Sequence, residues 1–398
     1  MIALKKTIYF FSYPIILIIE IINYFKRIKF CEINVSRLGH ATIYLEGYLI
    51  YKKFYKINEI NDYKVIFYFS NPIVNKQINL MIRRKLKVYY PSIFFNFITK
   101  TLIYWKKNKY ILEFKYSLKD PKILNNFDTI YKKPSLSFTS KEIIKAKKQL
   151  YEFGIRENDK WVCIHNRDSA FLNKKYPSKN WEYHSYRDFS VSDLKEAAEY
   201  FTKNGYYVFR MGSIQEQKFY TGNNKIIDYA FSRKKNDLLD IYLLANCSFY
   251  FGGESGPSDI AFYFKRPAFG INFPFTYLYM SRPHLSSIFI FKRIRNKNKN
   301  KLLTFDDLYN ANLKDVIDLN ILKKKNFEIL NNTSEQILNF AKEVLLEYNG
   351  NLNESENDTD NQIKFWNNYY KYTQDNRYLK IHPKVSPGFL RENMDLIV

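Results

Sequence analysis

Cysteine is scarce in this chain: Cys31, Cys163 and Cys247 are the only three among 398 residues. Each lies in or beside an apolar run and none has metal-ligand spacing, which argues against a zinc module and for buried thiols in a reducing compartment. Acidic residues are also few, 39 against 63 Lys and Arg, for a net charge of +24. That excess has two readings: anionic partners such as phosphorylated substrates or anionic lipid, or the Lys- and Asn-rich coding of an AT-rich genome. No RNA- or DNA-binding signature accompanies it, so nucleic acid is not an expected partner. A clean membrane-spanning run is missing too. The apolar stretch at residues 8–25 contains Pro14, Glu20 and Asn23, whereas a spanning helix needs about 20 apolar residues with few or no charges. No small-residue cleavage site follows it, which argues against a signal peptide. There are no internal repeats.

Apolar side chains are plentiful. A 46% hydrophobic and 18% aromatic content excludes a disordered chain, and the length suggests about two domains. Residues 1–29 form an aromatic helix flanked by Lys5-Lys6 and by Lys26-Arg27 with Lys29. It reads either as a helix lying on an anionic membrane surface or as a first amphipathic helix packed on the core.

Residues 30–139 alternate strands (30–35, 63–69, 86–89) with helical stretches, the pattern of a parallel, doubly wound sheet. Ligands on such sheets bind beyond the strand carboxyl ends. The stretch Arg37-Leu38-Gly39-His40 is placed there as a loop. His40 is a candidate base, or a loop residue without a role. The irregular segment 106–139 reads as the linker.

Residues 140–348 repeat the alternation. His165-Asn166-Arg167-Asp168 leaves the strand at 161–165. Arg167 there could hold a diphosphate with its planar fork while the adjacent Asp168 orients it; a buried Arg–Asp pair without ligand is the alternative. Arg210, Met211 and Gly212 end the next strand at the same sheet edge. Farther on, a strand breaks at Gly252-Gly253, turns through Glu254-Ser255-Gly256-Pro257 and starts a helix at Ser258-Asp259. Free amides and the positive dipole end at such a junction suit a phosphate, although ordinary βα turns also carry glycines. Ser190 to Asp193 reads as a capping box. The polar stretches 292–301 and 349–361 read as loops, and the aromatic tail 349–398 as packing back on the first domain.

The run Gly253-Glu254-Ser255-Gly256-Pro257-Ser258-Asp259-Ile260-Ala261 with Arg266-Pro267 resembles the sugar-nucleotide motif in the C-terminal half of GT-B glycosyltransferases, including the heptosyltransferases of lipopolysaccharide assembly. The chain is also similar to a bacterial glycosyltransferase family of surface-polysaccharide gene clusters. That likeness runs through His165 to Ala170, Tyr186-Arg187-Asp188, Gly205 to Val208, Arg210-Met211-Gly212 and Asp228-Tyr229-Ala230. It covers roughly residues 160–275 and is thin elsewhere.

The resemblance implies two Rossmann-like domains facing a cleft and transfer of a sugar from a nucleotide-sugar donor to a surface-polysaccharide or lipid-linked acceptor. Catalysis falls to His40, Arg167 and Asp168, and donor binding to Arg167, Arg210, Gly212 and the residues Gly253, Glu254, Ser255, Gly256, Pro257 and Ser258. No Asp-X-Asp run is read in the chain, and neither metal nor other cofactor is expected. The implied location is the cytoplasmic face of the bacterial inner membrane, peripherally bound. A sugar-nucleotide epimerase of the same architecture and a non-catalytic scaffold for glycan assembly are the alternatives.

Overall fold

A computed structural model describes residues 9–56, 62–112, 122–123, 130–178, 180–274, 288–313, 318–373 and 384–396. The chain is α/β and divides at Ser140 into two units. Residues 1–8 and much of the expected linker lie outside the described residues.

In the first unit, β1 (Ile28–Ile33) pairs in parallel with β2 (Lys64–Phe69). Single parallel bridges join Phe30 to Ile111 and Phe67 to Val88, so the strand expected at 86–89 is reduced to one bridge. The first helix, α1 (Tyr13–Phe25), buries Ile16 and Ile19 against Phe30, Tyr68, Ile98 and Leu102. Its inner face thus belongs to the core. α2 (Leu38–Phe54) follows β1, α3 (Lys76–Arg83) follows β2, and α4 (Ser92–Tyr104) carries Ile98 and Leu102 onto the sheet. Asn75 starts α3 by accepting the Ile78 amide at 3.0 Å, an N-cap of the usual kind.

The second unit opens with α5 (Ser140–Tyr151), after which Gly154 takes φ +82°. Its centre is a seven-stranded parallel sheet. The strands are β3 (Lys160–His165), β4 (Tyr206–Arg210), β5 (Ile226–Ile227), β6 (Phe249–Gly252), β7 (Ala268–Phe273), β8 (Ile288–Phe291) and, after the tail helix, β12 (Lys384–Val385). Their order is β12-β8-β7-β6-β3-β4-β5. After β3 the chain moves outward through β4 and β5, then returns to place β6 on the other side of β3. Open parallel sheets bind ligands where the strand order reverses in this way; here that point is the carboxyl end of β3 beside β6.

Helices α6 (Ala170–Lys175), α7 (Lys195–Lys203), α8 (Asp237–Asn246) and α9 (Gly256–Tyr263) connect the strands. Phe201 of α7 meets Phe249 and Phe251 of β6 edge-on, with centroids 5.4 and 5.0 Å away. Both faces of β6 and β7 are buried, which is why those strands read as continuous apolar runs without alternation.

The polar stretch 292–301 is not a loop. It holds β9 (Arg293–Asn296) and the start of β10 (Lys301–Leu302), which with β11 (Phe327–Leu330) make a small antiparallel sheet. Polar residues hid it because these strands are largely half-buried and their pairing is non-local. Between β10 and β11 lie α10 (Phe305–Asn310) and α11 (Leu319–Lys324); α12 (Ser334–Tyr348) then begins on a reciprocal Thr333–Gln336 capping box.

The acidic segment expected to be loop through residue 361 enters α13 (Glu356–Thr373) at Glu356. Phe365, Trp366, Tyr369 and Tyr372 of α13 are buried. Phe365 lies 5.4 Å from Phe291 of β8 and 5.4 Å from Phe305 of α10, centroid to centroid. The tail ends with β12 on the sheet edge and α14 (Pro387–Glu392), whose Phe389 also meets Phe291. Its aromatic face therefore completes the second unit, where the sequence reading assigns it to the first. Composition identifies a face that must be buried but not the partner that buries it.

Candidate functional site

The two residues after β3, Asn166 and Arg167, are buried, because they leave the strand beneath the segment 187–189, and Asp168 beyond them is half-buried. Asn166 Nδ2 donates to Phe189 O at 3.1 Å and Phe189 N donates to Arg167 O at 3.2 Å. Arg167 Nη1 forms an ion pair with Asp188 Oδ1, and Ser169 Oγ donates to Asp188 Oδ2 at 2.6 Å. Burial, followed by the charge of Arg187, lowers the pKa of Arg167, while Asp188 opposes the shift.

The carboxylate that orients Arg167 is thus Asp188 and not its neighbour Asp168. Successive residues leaving a strand point to opposite sides, so adjacency in sequence is a poor guide to the partner. Asp168 instead accepts the Ala170 amide at 3.2 Å and the Glu216 amide at 3.0 Å. Burial raises its pKa against those two bonds. His165, the last residue of β3, shares Nδ1 with Met211 O at 2.9 Å, and burial pulls it down to about 4. It is neutral near pH 7.

Arg210 is fully buried. Its Nε and Nη2 donate to Asn166 Oδ1 at 3.3 and 3.1 Å, Nη2 also to Gln215 Oε1 at 2.8 Å, and Nη1 to Asp228 Oδ1 at 3.1 Å. The fork expected to meet a diphosphate is thus engaged inside the protein, beneath Asn166. Gly212 lies under the same network: a Cβ there would meet Gln215 Cγ at 2.7 Å.

The glycine loop leaves β6 directly beside these residues. Gly253 N donates to His165 O at 3.1 Å. A Cβ on Gly252 would stand 2.3 Å from His165 O, and one on Gly253 2.8 Å from Phe189 Cε1. Both glycines are required by this close approach to β3 and to the 187–189 segment. Glu254, Ser255, Gly256 and Pro257 form the half-buried lip, and α9 starts at Gly256, two residues earlier than expected. The Ser255 amide donates to Ser258 Oγ at 3.1 Å and Pro257 has no N–H, so the helix start offers fewer amides than its glycines suggest.

Two residues of this edge were not singled out from the sequence as site residues. Asp188 stands in the quoted Tyr186-Arg187-Asp188 run, and its pairing depends on tertiary contact. Lys292 follows β8, with Nζ donating to Asp188 O at 2.7 Å; it lies in the stretch read as loop, and no local signal marks it. His40 lies in the first unit, half-buried in the first turn of α2 and not in a loop. An Asp-X-Asp run does exist at Asp358-Thr359-Asp360 on α13, where Asp358 accepts from Ser355 and Arg391. Among the described residues no group of three or more His, Cys, Asp and Glu is arranged to hold a metal ion.

No protein-family model matches the chain, and no curated protein matches it. Solved structures do. The family 9 glycosyl transferase from Veillonella parvula is 12% identical over 81% of this chain and 98% of its own, with a TM-score of 0.40. The E. coli ADP-heptose LPS heptosyltransferase II is 12% identical over 81% and 99%, with a TM-score of 0.39. The iron-containing dodecameric glycosyltransferase TibC from enterotoxigenic E. coli is 13% identical over 66% and 60%, with a TM-score of 0.33. The structures this chain is similar to are glycosyltransferases; at TM-scores below 0.5 the likeness adds nothing to what the site's own geometry supports.

Proposed function

We propose that this protein is a glycosyltransferase that moves a sugar from a nucleotide-sugar donor to a surface-polysaccharide or lipid-linked glycan acceptor. The observation that carries the reading is the meeting of Arg167 and the Gly253–Ser258 loop, through the 187–189 segment, at the reversal point of a parallel sheet. A preorganised guanidinium and backbone dipoles in a water-poor site stabilise charge that develops on a leaving group. In the proposed reaction the bond from the anomeric carbon to the diphosphate oxygen breaks, and the acceptor oxygen bonds to that carbon. The nucleoside diphosphate leaves with the bonding pair, and the acceptor proton passes to a base, for which Asp168 is the candidate on this sheet edge. Arg210 acts from below by fixing Asn166, which holds Phe189 O. Cation assistance from Arg167 supports a transfer that does not depend on a metal.

The reading extends to peripheral attachment at the cytoplasmic face of the bacterial inner membrane. While Ile16 and Ile19 of α1 face the core, Leu17, Ile18, Ile21, Tyr24 and Phe25 are exposed, Phe25 to 81%. Lys26, Arg27 and Lys29 follow directly. A 13-residue helix spans about 20 Å, short of the roughly 30 Å hydrocarbon layer. Among the described residues no helix is long and apolar enough to cross a membrane. An outward apolar face with a basic border suits a helix lying in the lipid interface.

Thermal unfolding across a panel of nucleotide-sugars tests the donor site, because a ligand of the folded state raises apparent stability. At least one donor is expected to stabilise, and to release its nucleoside diphosphate only when acceptor is present. Turnover without acceptor would mean an epimerase or hydrolase; no stabilisation by any donor would reject the reading.

A further inference from the structure

Strand β8, Ile-Phe-Ile-Phe, is buried along its length, so the next residue is delivered to the carboxyl edge of the sheet inside the protein. That residue is Lys292, only 2% exposed. Its amide donates to Phe273 O at 2.8 Å, continuing the strand, and its Nζ donates to Asp188 O at 2.7 Å. Among the described residues Nζ has no other hydrogen-bond acceptor, and this one is a neutral carbonyl. The charges around it are Asp188 and Asp193, which favour its ammonium form, and Arg167 and Arg187, which oppose it. A lysine is rarely fully buried unless it is paired; this one has no carboxylate of its own.

We infer that Lys292 is a proton-linked positioning residue of the Arg167 site, taking up a proton when an anion seats on Arg167 and so holding the Asp188 backbone in place. The inference rests on the reading of that site as the donor-diphosphate site. Burial, the leading cause, pulls Lys292 down to about 7, with the two arginines acting in the same direction. At neutral pH the empty site therefore holds a mixture of amine and ammonium. A diphosphate beside Arg167 adds negative charge within the same buried cluster. An opposite charge within about 4–6 Å raises the proton affinity of a cation by roughly 1–3 pKa units. The proton comes from the solvent, and no covalent bond changes.

Isothermal titration of the full chain with UDP, GDP, ADP and inorganic pyrophosphate, in buffers of differing ionisation enthalpy at pH 8, reads proton uptake directly. At that pH the three nucleoside diphosphates are essentially fully ionised and contribute almost no proton exchange of their own, whereas pyrophosphate keeps its last proton, so uptake is read from the nucleotides and pyrophosphate reports affinity alone. Wild type is expected to take up about half a proton or more per bound anion, given the direction and size of such shifts. Lys292→Met should bind about tenfold more weakly with no uptake. Lys292→Arg should keep the affinity and also show no uptake, because a guanidinium is already charged. Anion binding by wild type without uptake, or the same uptake in either variant, overturns the inference and leaves the donor site standing. Should Lys292→Met fail to fold, Lys292→Arg decides alone. If none of the four probes binds wild type, the donor-site reading itself fails, and this inference with it.

Discussion

The carboxamide oxygen of Asn166 accepts from both Nε and Nη2 of Arg210, at 3.3 and 3.1 Å. Through that contact a fully buried guanidinium supports the residue that hydrogen-bonds the 187–189 segment. Removing one partner of a buried charge network leaves the rest uncompensated and costs about 3–5 kcal/mol. Arg210→Met should therefore lower unfolding stability by about that much in urea titration. A stable Arg210→Met protein that has lost only donor binding would show that the arginine reaches the ligand.

Arg167 should behave differently. Arg167→Lys keeps a charge but loses the planar fork facing Asp188. Turnover should fall on the order of a hundredfold or more, comparable to loss of one oxyanion donor, with a smaller loss of donor affinity. Asp188→Asn, which weakens the same orientation, should lower turnover in the same direction. Near-normal steady-state rates in both Arg167→Lys and Arg167→Ala would make this arginine structural.

Within the glycine loop, fold and binding separate by position. A Cβ at Gly252 meets backbone atoms of His165 that cannot step aside, so Gly252→Ala should destabilise by roughly 1–3 kcal/mol, as overpacking does. Ser255→Asp sits on the half-buried lip and should leave circular dichroism unchanged while abolishing donor binding by charge repulsion. Unaltered donor affinity in folded Ser255→Asp would place the phosphates elsewhere.

Two buried groups shape the pH dependence of stability. Lys292 is pulled down to about 7 in the folded protein from an ordinary 10.5. Between those values the unfolded chain binds more protons, so this group makes stability rise with pH from about 7 towards 10. His165, lowered from 6.5 to about 4, makes stability fall as pH drops through that window. Chemical denaturation in the apo state should show both slopes. Lys292→Met should flatten the alkaline one and His165→Gln the acidic one; variants with unchanged slopes would contradict the assignments.

On α1, Ile18 and Ile21 lie on the exposed face. Ile18→Glu with Ile21→Glu should release the protein from anionic vesicles in flotation assays while leaving its melting temperature within a few degrees. Retention on vesicles after both substitutions would assign membrane attachment to another surface. Complete resistance of the wild type to alkaline extraction would argue for insertion.

The sequence by itself determined what local physics determines. Helices α8 at 237–246 and α12 at 334–348 are locally encoded in this sense, because Asn236 and Thr333 satisfy their first amides within one turn. The buried strands β6 and β7 are legible as apolar runs, and Gly252-Gly253 as a tight turn. Only the tertiary structure decided which carboxylate meets Arg167, that Arg210 is enclosed by Asn166, Asp228 and Gln215, that 292–301 pairs into an antiparallel sheet, and that the aromatic tail closes on β8. Each of these is a contact between residues far apart in the chain: twenty-one positions separate Arg167 from Asp188 and 104 separate Asp188 from Lys292. Local propensity and side-chain periodicity act over a few residues. The pairing of distant polar groups is set by strand order and by the need to satisfy every buried charge, and neither has a signature at a single position.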